Sequence, residues 1–271
     1  MGSNWPGSGP SQRAAEILPP ESRSYEGDQG PPRPRRSQAS RWASAPATYT
    51  LVGINCAVFL AMVLRGISPS NPSVQELVNW GANFGGLVLA GQWWRLLTAA
   101  FVHVGILHLA TNMWCLWNLG FLAERIFEPW TYVSTYTACG LAGSLASLWR
   151  HPGVVGVGAS GAIFGLAGAL IAALYLGHLP IPKQAMQSTL KSLLVFAGYN
   201  LFFGAAIRIV DNSAHIGGLL AGLAIGAALS QHLMAPPEIR NRWRNGVFAA
   251  AVAVLFLAFL LIKHLNGAVL Q

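Results

Sequence analysis

The run from Ser160 to Gly177, SGAIFGLAGALIAALYLG, holds eighteen residues and no charge. At about 1.5 Å of rise per residue, a helix of that length crosses the roughly 30 Å hydrocarbon core of a bilayer almost completely. Gly161, Gly165 and Ala169 follow one another at four-residue spacing, a face of small residues on which a second helix can sit closely. Working outward, six more apolar runs of similar length alternate with short polar punctuation. The seven spans lie at approximately 48–65, 103–123, 131–149, 160–177, 189–207, 213–233 and 246–263. None shows the alternation of a strand, so helices are the way such segments satisfy their backbones in lipid. The expected fold class is an all-α integral membrane protein with seven spans.

Composition agrees. Over the 271 residues, 53% are hydrophobic and 10% charged, whereas a soluble domain carries about 25% charged residues. Too few charges remain to cover a globule, so the solvent of this chain is lipid. The net charge of +8 does not point to nucleic acid, because the basic residues sit in the tail and between apolar runs and form no stripe interleaved with aromatics. Cys56, Cys115 and Cys139 each lie alone within an apolar run and read as packed thiols, with no metal site and no cofactor implied.

Residues 1–47 hold half of the 16 prolines, with the basic run Arg33, Pro34, Arg35, Arg36 and almost no apolar periodicity. This stretch is expected to be a disordered, retained cytoplasmic tail and not a signal peptide. With the tail inside, twelve of the 17 Lys and Arg residues fall on the inner side, so the positive-inside rule favours N-terminus in and C-terminus out. The long outer connection between the first two spans carries Trp80, Phe84, Trp93 and Trp94, a richness suited to the membrane interface.

Polar side chains inside apolar spans are costly and mark candidate sites. His108 and Asn112, four apart, share one face of the second span; His103 points elsewhere and suits a bond to loop backbone. Gly158, Ala159, Ser160, Gly161 opens the fourth span after a glycine-rich approach, where a helix N-terminus leaves amides free to donate. His215 opens the sixth span ahead of Gly218, Gly222 and Gly226, whose small face can bring the imidazole to a neighbouring helix, most naturally the serine helix. Each cluster taken alone is compatible with helix packing. On the N-in topology, however, all three fall in the outer half of the membrane, and packing polars would scatter over both halves.

A serine hydroxyl becomes a nucleophile beside an imidazole base, and acyl transfer needs donors at the developing oxyanion. Ser160 and His215 can supply the first requirement, and His108, Asn112 and the Ser160 amide the second. No acidic residue lies within the spans, so a dyad is expected. Asp211, four residues before His215, falls in an outer connection beside Arg208 and Asn212 and is not expected to act as a third member.

The string Trp94, Arg95, Thr98, Phe101, His103, His108, Asn112, Met113, then Gly158, Ser160, Gly161, then Ala214, His215 resembles the rhomboid intramembrane serine proteases over roughly residues 48–233. The resemblance implies a six-helix core with Ser160 as nucleophile, His215 as general base, and His108 with Asn112 completing an oxyanion hole. Gly158, Gly161, Phe164 and Arg95 would act in support. Arg95 and Glu124 match positions that steady the long loop and the inner end of the second span. Phe164 matches an aromatic position against which the catalytic imidazole packs, where many members carry Tyr.

Family members cleave membrane-anchored proteins near the outer end of a transmembrane segment. The implied partners are therefore transmembrane protein substrates and the lipid bilayer, with no nucleic acid and no metal. The domain layout is a tail at 1–47, a six-helix core at 48–233, and a basic loop with a seventh helix at 234–271. That six-plus-one order differs from mitochondrial members, which add a helix at the front, and favours the plasma membrane of a bacterium. The alternative is a proteolytically inactive relative that binds membrane clients, which would be expected to have lost Ser160 or His215. A small transporter would instead show inverted repeats with broken helices.

Overall fold

Apolar runs without access to water close their amide hydrogen bonds internally, and the computed structural model shows helices for every run. It describes Gly2, residues 45–206 and residues 210–267. The expected disorder of the tail thus falls almost wholly outside the described residues. Helix α1 (Pro46–Leu64) begins two residues before the expected boundary, with Pro46 in the first turn, where its missing N–H is no loss.

The long connection contains α2 (Val74–Asn79), α3 (Gly85–Leu89), α4 (Arg95–Thr98) and a 3₁₀ turn at Ala99–Phe101. Helix α2 opens on a capping box formed by Ser73 and Glu76, and the bond donated by the Ser73 hydroxyl holds the Glu76 carboxyl below its ordinary value. The larger helices follow as α5 (Ile106–Ile126), α6 (Pro129–Arg150), α7 (Ser160–Leu176), α8 (Lys183–Ala206), α9 (Asn212–Ser230) and α10 (Pro237–Gly267).

Helix α7 is the centre. Thirteen of its 17 residues are buried, and its most extensive partner is α9, followed by α6. Along the glycine face the α7–α9 contact is made by backbone against backbone. A Cβ added to Gly218 would collide with the Gly161 carbonyl, one on Gly222 with the Gly165 carbonyl, and one on Gly226 with the Ala169 carbonyl. The two small faces read from the sequence are therefore nested in one another. Cys139 of α6 fills the space beside Gly165.

Helix α1 is tied to the far end of α5 by Glu124. That carboxylate accepts from the Ala47 amide at 2.8 Å, the Thr48 amide at 2.9 Å and the Thr48 hydroxyl at 2.7 Å. Charge-assisted bonds of this kind contribute about 1.5–3 kcal/mol each, and here they satisfy amides that α1 would otherwise bury unpaired at its first turn. Helix α10 rests on α6 and α9 and otherwise shows its apolar side chains outward.

Exposed large hydrophobics such as Leu64, Trp114, Tyr175, Phe202 and Leu257 define a lipid-facing belt, and the molecule is an integral membrane protein. Among the described residues, α1, α8, α9 and α10 are by themselves long and apolar enough to cross a bilayer. The segment Arg95–Phe101 and α5 reach that standard together, with a 93° bend between them, and α7 has 17 residues. Helix α5 starts at Ile106 and not near His103, because Val102 is extended and Gly105 lies outside helical space. Helix α10 runs nine residues further toward its N-terminus than the apolar pattern at 246–263, through the polar turns Pro237–Asn245. Of the three cysteines, Cys139 is buried, Cys115 half-buried and Cys56 exposed on the outer face of α1, so the expectation of packing holds for the first two and not for Cys56.

Candidate active site

Three helix N-termini meet at one end of the bundle: α5 with His108, α7 with Ser160 and α9 with His215. Because Gly218 nests on Gly161, the preceding turns of α7 and α9 are held side by side. His215 Nε2 lies 2.9 Å from Ser160 Oγ, a hydrogen-bond distance across fifty-five residues of chain.

The imidazole is held on its flat side as well. Phe164, one turn along α7, stacks on the His215 ring at 4.2 Å between centroids and 10° between planes, and Phe196 of α8 packs behind Phe164 at 5.5 Å. Phenylalanine in place of tyrosine keeps the ring contact. Phe196 was not distinguishable in the sequence, where it is one apolar residue in an apolar run.

Asp211 has its own task. Its Oδ1 accepts from the Ala214 amide at 3.1 Å, which makes it the N-cap of α9. His215 Nδ1 has no hydrogen-bond partner among the described residues, and the Asp211 carboxylate is not bonded to it.

Gly158 brings the third cluster to the same place. Its φ is +111°, a region that favours glycine. A Cβ there would lie 2.6 Å from His108 Cε1, 2.8 Å from His108 Nε2 and 3.7 Å from Asn112 Nδ2. Both side chains thus border the backbone two residues before Ser160. Asn112 Nδ2 donates one hydrogen to the His108 carbonyl at 3.0 Å, and its second hydrogen is left for another acceptor. His103 Nδ1 lies 3.3 Å from the Phe101 carbonyl oxygen, the loop-backbone bond expected of it, but the ring does not point away from the cluster: its centroid is 5.1 Å from that of His108.

The approach to Ser160 is pinned to the long connection. The Gly158 amide donates to the Ala99 carbonyl at 2.8 Å, and Asn83 and Gly156 exchange amide–carbonyl bonds at 3.0 and 2.8 Å. The connection is itself clamped by Arg95, whose guanidinium donates to Gln92 Oε1 and to the Val78 and Ala82 carbonyls. The Thr98 hydroxyl donates to the Gly81 carbonyl at 2.6 Å. Asn83 and Ala99 carry no motif that reveals this pairing in sequence. Among the described residues, no group of three His, Cys, Asp or Glu side chains is placed to hold a metal ion.

A family model described as "Rhomboid domain" matches residues 90–232. The chain is 36% identical over 225 residues to "Rhomboid protease GluP" of Bacillus subtilis (strain 168), covering 83% of this chain and 43% of that protein. It is 31% identical over 215 residues to "Rhomboid protease AarA" of Providencia stuartii, covering 71% of this chain and 74% of that protein. Similarity to "RHOMBOID-like protein 7" of Arabidopsis thaliana reaches 36% over 162 residues, 59% of this chain and 51% of that protein. The chain thus spans about half the length of two of these three relatives.

Proposed function

The chain belongs to the rhomboid family, and we propose that it is an intramembrane serine endopeptidase that cuts transmembrane proteins near the outer end of a membrane-spanning segment. The observation that carries this proposal is the 2.9 Å approach of His215 Nε2 to Ser160 Oγ. In the first step the imidazole takes the hydroxyl proton as the oxygen attacks the scissile carbonyl. It then returns that proton to the departing amine, and water repeats the cycle on the acyl-enzyme. The Ser160 amide at the α7 N-terminus, His108 and the free hydrogen of Asn112 would face the oxyanion.

In this proposal the protein has seven spans, with a tail at 1–47, a catalytic core at 48–233 and a seventh helix within 234–271. The N-terminus is cytoplasmic, the C-terminus outside, and the setting is a bacterial plasma membrane. The site then opens on the outer half of the bilayer, where the extracellular ends of substrates lie.

The protein reconstituted in liposomes with a single-span substrate is expected to cut it once, and a fluorophosphonate is expected to label Ser160. His108→Ala and Asn112→Ala should each lower turnover by about 10² or more with melting temperature little changed. Labelling without cleavage of any transmembrane substrate, or a loss of activity explained by unfolding alone, would count against the assignment and favour a client-binding protein.

Asp211→Asn separates a dyad from a triad. Asparagine caps a helix as well as aspartate, so stability should hold and turnover should change by less than about tenfold. Neutralising a carboxylate that orients the base would instead cost about 10⁴.

A further inference from the structure

At the end of the bundle opposite Ser160, the α5–α6 turn, the last turn of α9 and the first turns of α10 enclose a cavity of about 360 Å³. Its polar rim is cationic. Arg125, Arg240 and Arg244 border it with Glu128, and the other bordering carboxylate, Glu124, has both oxygens turned inward onto the amides of α1. Glu128 Oε1 takes Arg240 at 2.6 Å and Oε2 takes Arg244 at 3.7 Å. Arg244 also donates through Nε and Nη2 to Asn245 Oδ1 at 3.3 and 3.2 Å, but Arg240 Nε is buried with no partner among the described residues. Arg125 has no ion pair among the described residues.

Two further observations indicate what the rim is built to receive. Glu128 is held at a φ of 54°, a strained conformation for a non-glycine residue, of the kind that clusters at ligand sites. Beside the cavity, and sharing Arg244 with it, an open furrow of about 500 Å³ runs between α6 and α10 past Trp130 and Phe248. A cationic head pocket beside an open furrow that presents Trp130 and Phe248, along with Ser134, Arg244 and Asn245, on a lipid-facing surface matches an amphiphile, not a free ion. The cavity wall adds Trp243, whose indole donates to the Ala228 carbonyl at 2.7 Å and packs on His232, an interfacial aromatic of the kind that borders headgroups.

We propose that this cavity is a binding site for an anionic glycerophospholipid, with the phosphate on Arg125, Arg240 and Arg244 and an acyl chain in the furrow between α6 and α10. Basic pockets between membrane helices recognise phosphate headgroups in this way. The bound lipid bridges the α5–α6 turn to the start of α10 and fastens the seventh helix to the core. The site is independent of the proposed protease activity and is tested without it.

The purified full-length protein, stripped of lipid in a zwitterionic detergent, is titrated with dioctanoyl phosphatidylglycerol, dioctanoyl phosphatidylcholine and the chain-free headgroup glycerophosphoglycerol. Binding is read by native mass spectrometry together with melting temperature. Phosphatidylglycerol is expected to occupy one site and raise the melting temperature, with phosphatidylcholine and the chain-free headgroup at least about tenfold weaker. Arg125→Gln, which breaks no ion pair, should weaken phosphatidylglycerol by about tenfold while melting without lipid is unchanged, and Arg244→Gln should weaken it by a similar factor. Undiminished affinity in both variants overturns the proposal, as does equal binding of phosphatidylcholine. Equal binding of the chain-free headgroup makes it a soluble-anion site and overturns the lipid assignment.

Discussion

Replacing Ser160 by alanine is expected to reduce cleavage on the order of 10⁶-fold, to below detection, and to abolish fluorophosphonate labelling. The size of the effect follows from what the hydroxyl does and from what replaces it. In the proposed mechanism the oxygen 2.9 Å from His215 is the nucleophile, and without it the oxyanion donors would have no tetrahedral intermediate to stabilise. Alanine also removes only one atom from a half-buried position among small residues, so the variant should fold as the parent does. Measuring the two together, with melting temperature as the folding control, makes the result decisive. Retained cleavage by the purified variant would transfer the chemistry to another group.

The second large effect is on stability. Gly222→Ala adds a single methyl, yet that carbon would be driven into the Gly165 carbonyl, with the Gly165 Cα close behind. Backbone cannot rotate aside as a side chain can, so the helices must part and lose dispersion contacts along their length. The cost should reach or exceed about 3 kcal/mol, the upper end for overpacking. Gly198→Ala in α8 provides the matched control, since nothing lies within 4 Å of its added Cβ and the helix gains propensity. Equal melting temperatures for the two variants would mean that the α7–α9 contact is softer than its geometry.

The nested helices were legible because small residues at four-residue spacing specify one contact and little else. Ser160, His215, His108 and Asn112 stood out because polar groups are conspicuous in apolar runs. The features that escaped are non-local or depend on backbone angles. The pairing of Asn83 with Gly156 joins two loops that share no pattern, and the bend before Ile106 arises from extended backbone at Val102 and Gly105. Apolar periodicity measures the length of helix in contact with lipid, so it could not show that α10 extends through Pro237–Asn245 into polar surroundings. Glu128 and its arginines, 112 residues apart in the case of Arg240, belong to the same class.

The four-residue repeat on both α7 and α9 carries a hidden degeneracy. Slipping α9 by one repeat, about 6 Å along its axis, would lay Gly218 over Gly165 and Gly222 over Ala169, with small residues still facing small residues. In that register His215 would no longer sit beside Ser160. Helix α6 removes the ambiguity: Gly143 lies under the Ala214 carbonyl, and Gly217 lies against Ala142 and Ala146. A third helix with a different spacing acts as a vernier and leaves one alignment in which all three sets of contacts coincide. The separation of Ser160 and His215 is therefore fixed by the phase of three small-residue patterns, and a substitution on α6 can misalign it without changing either residue.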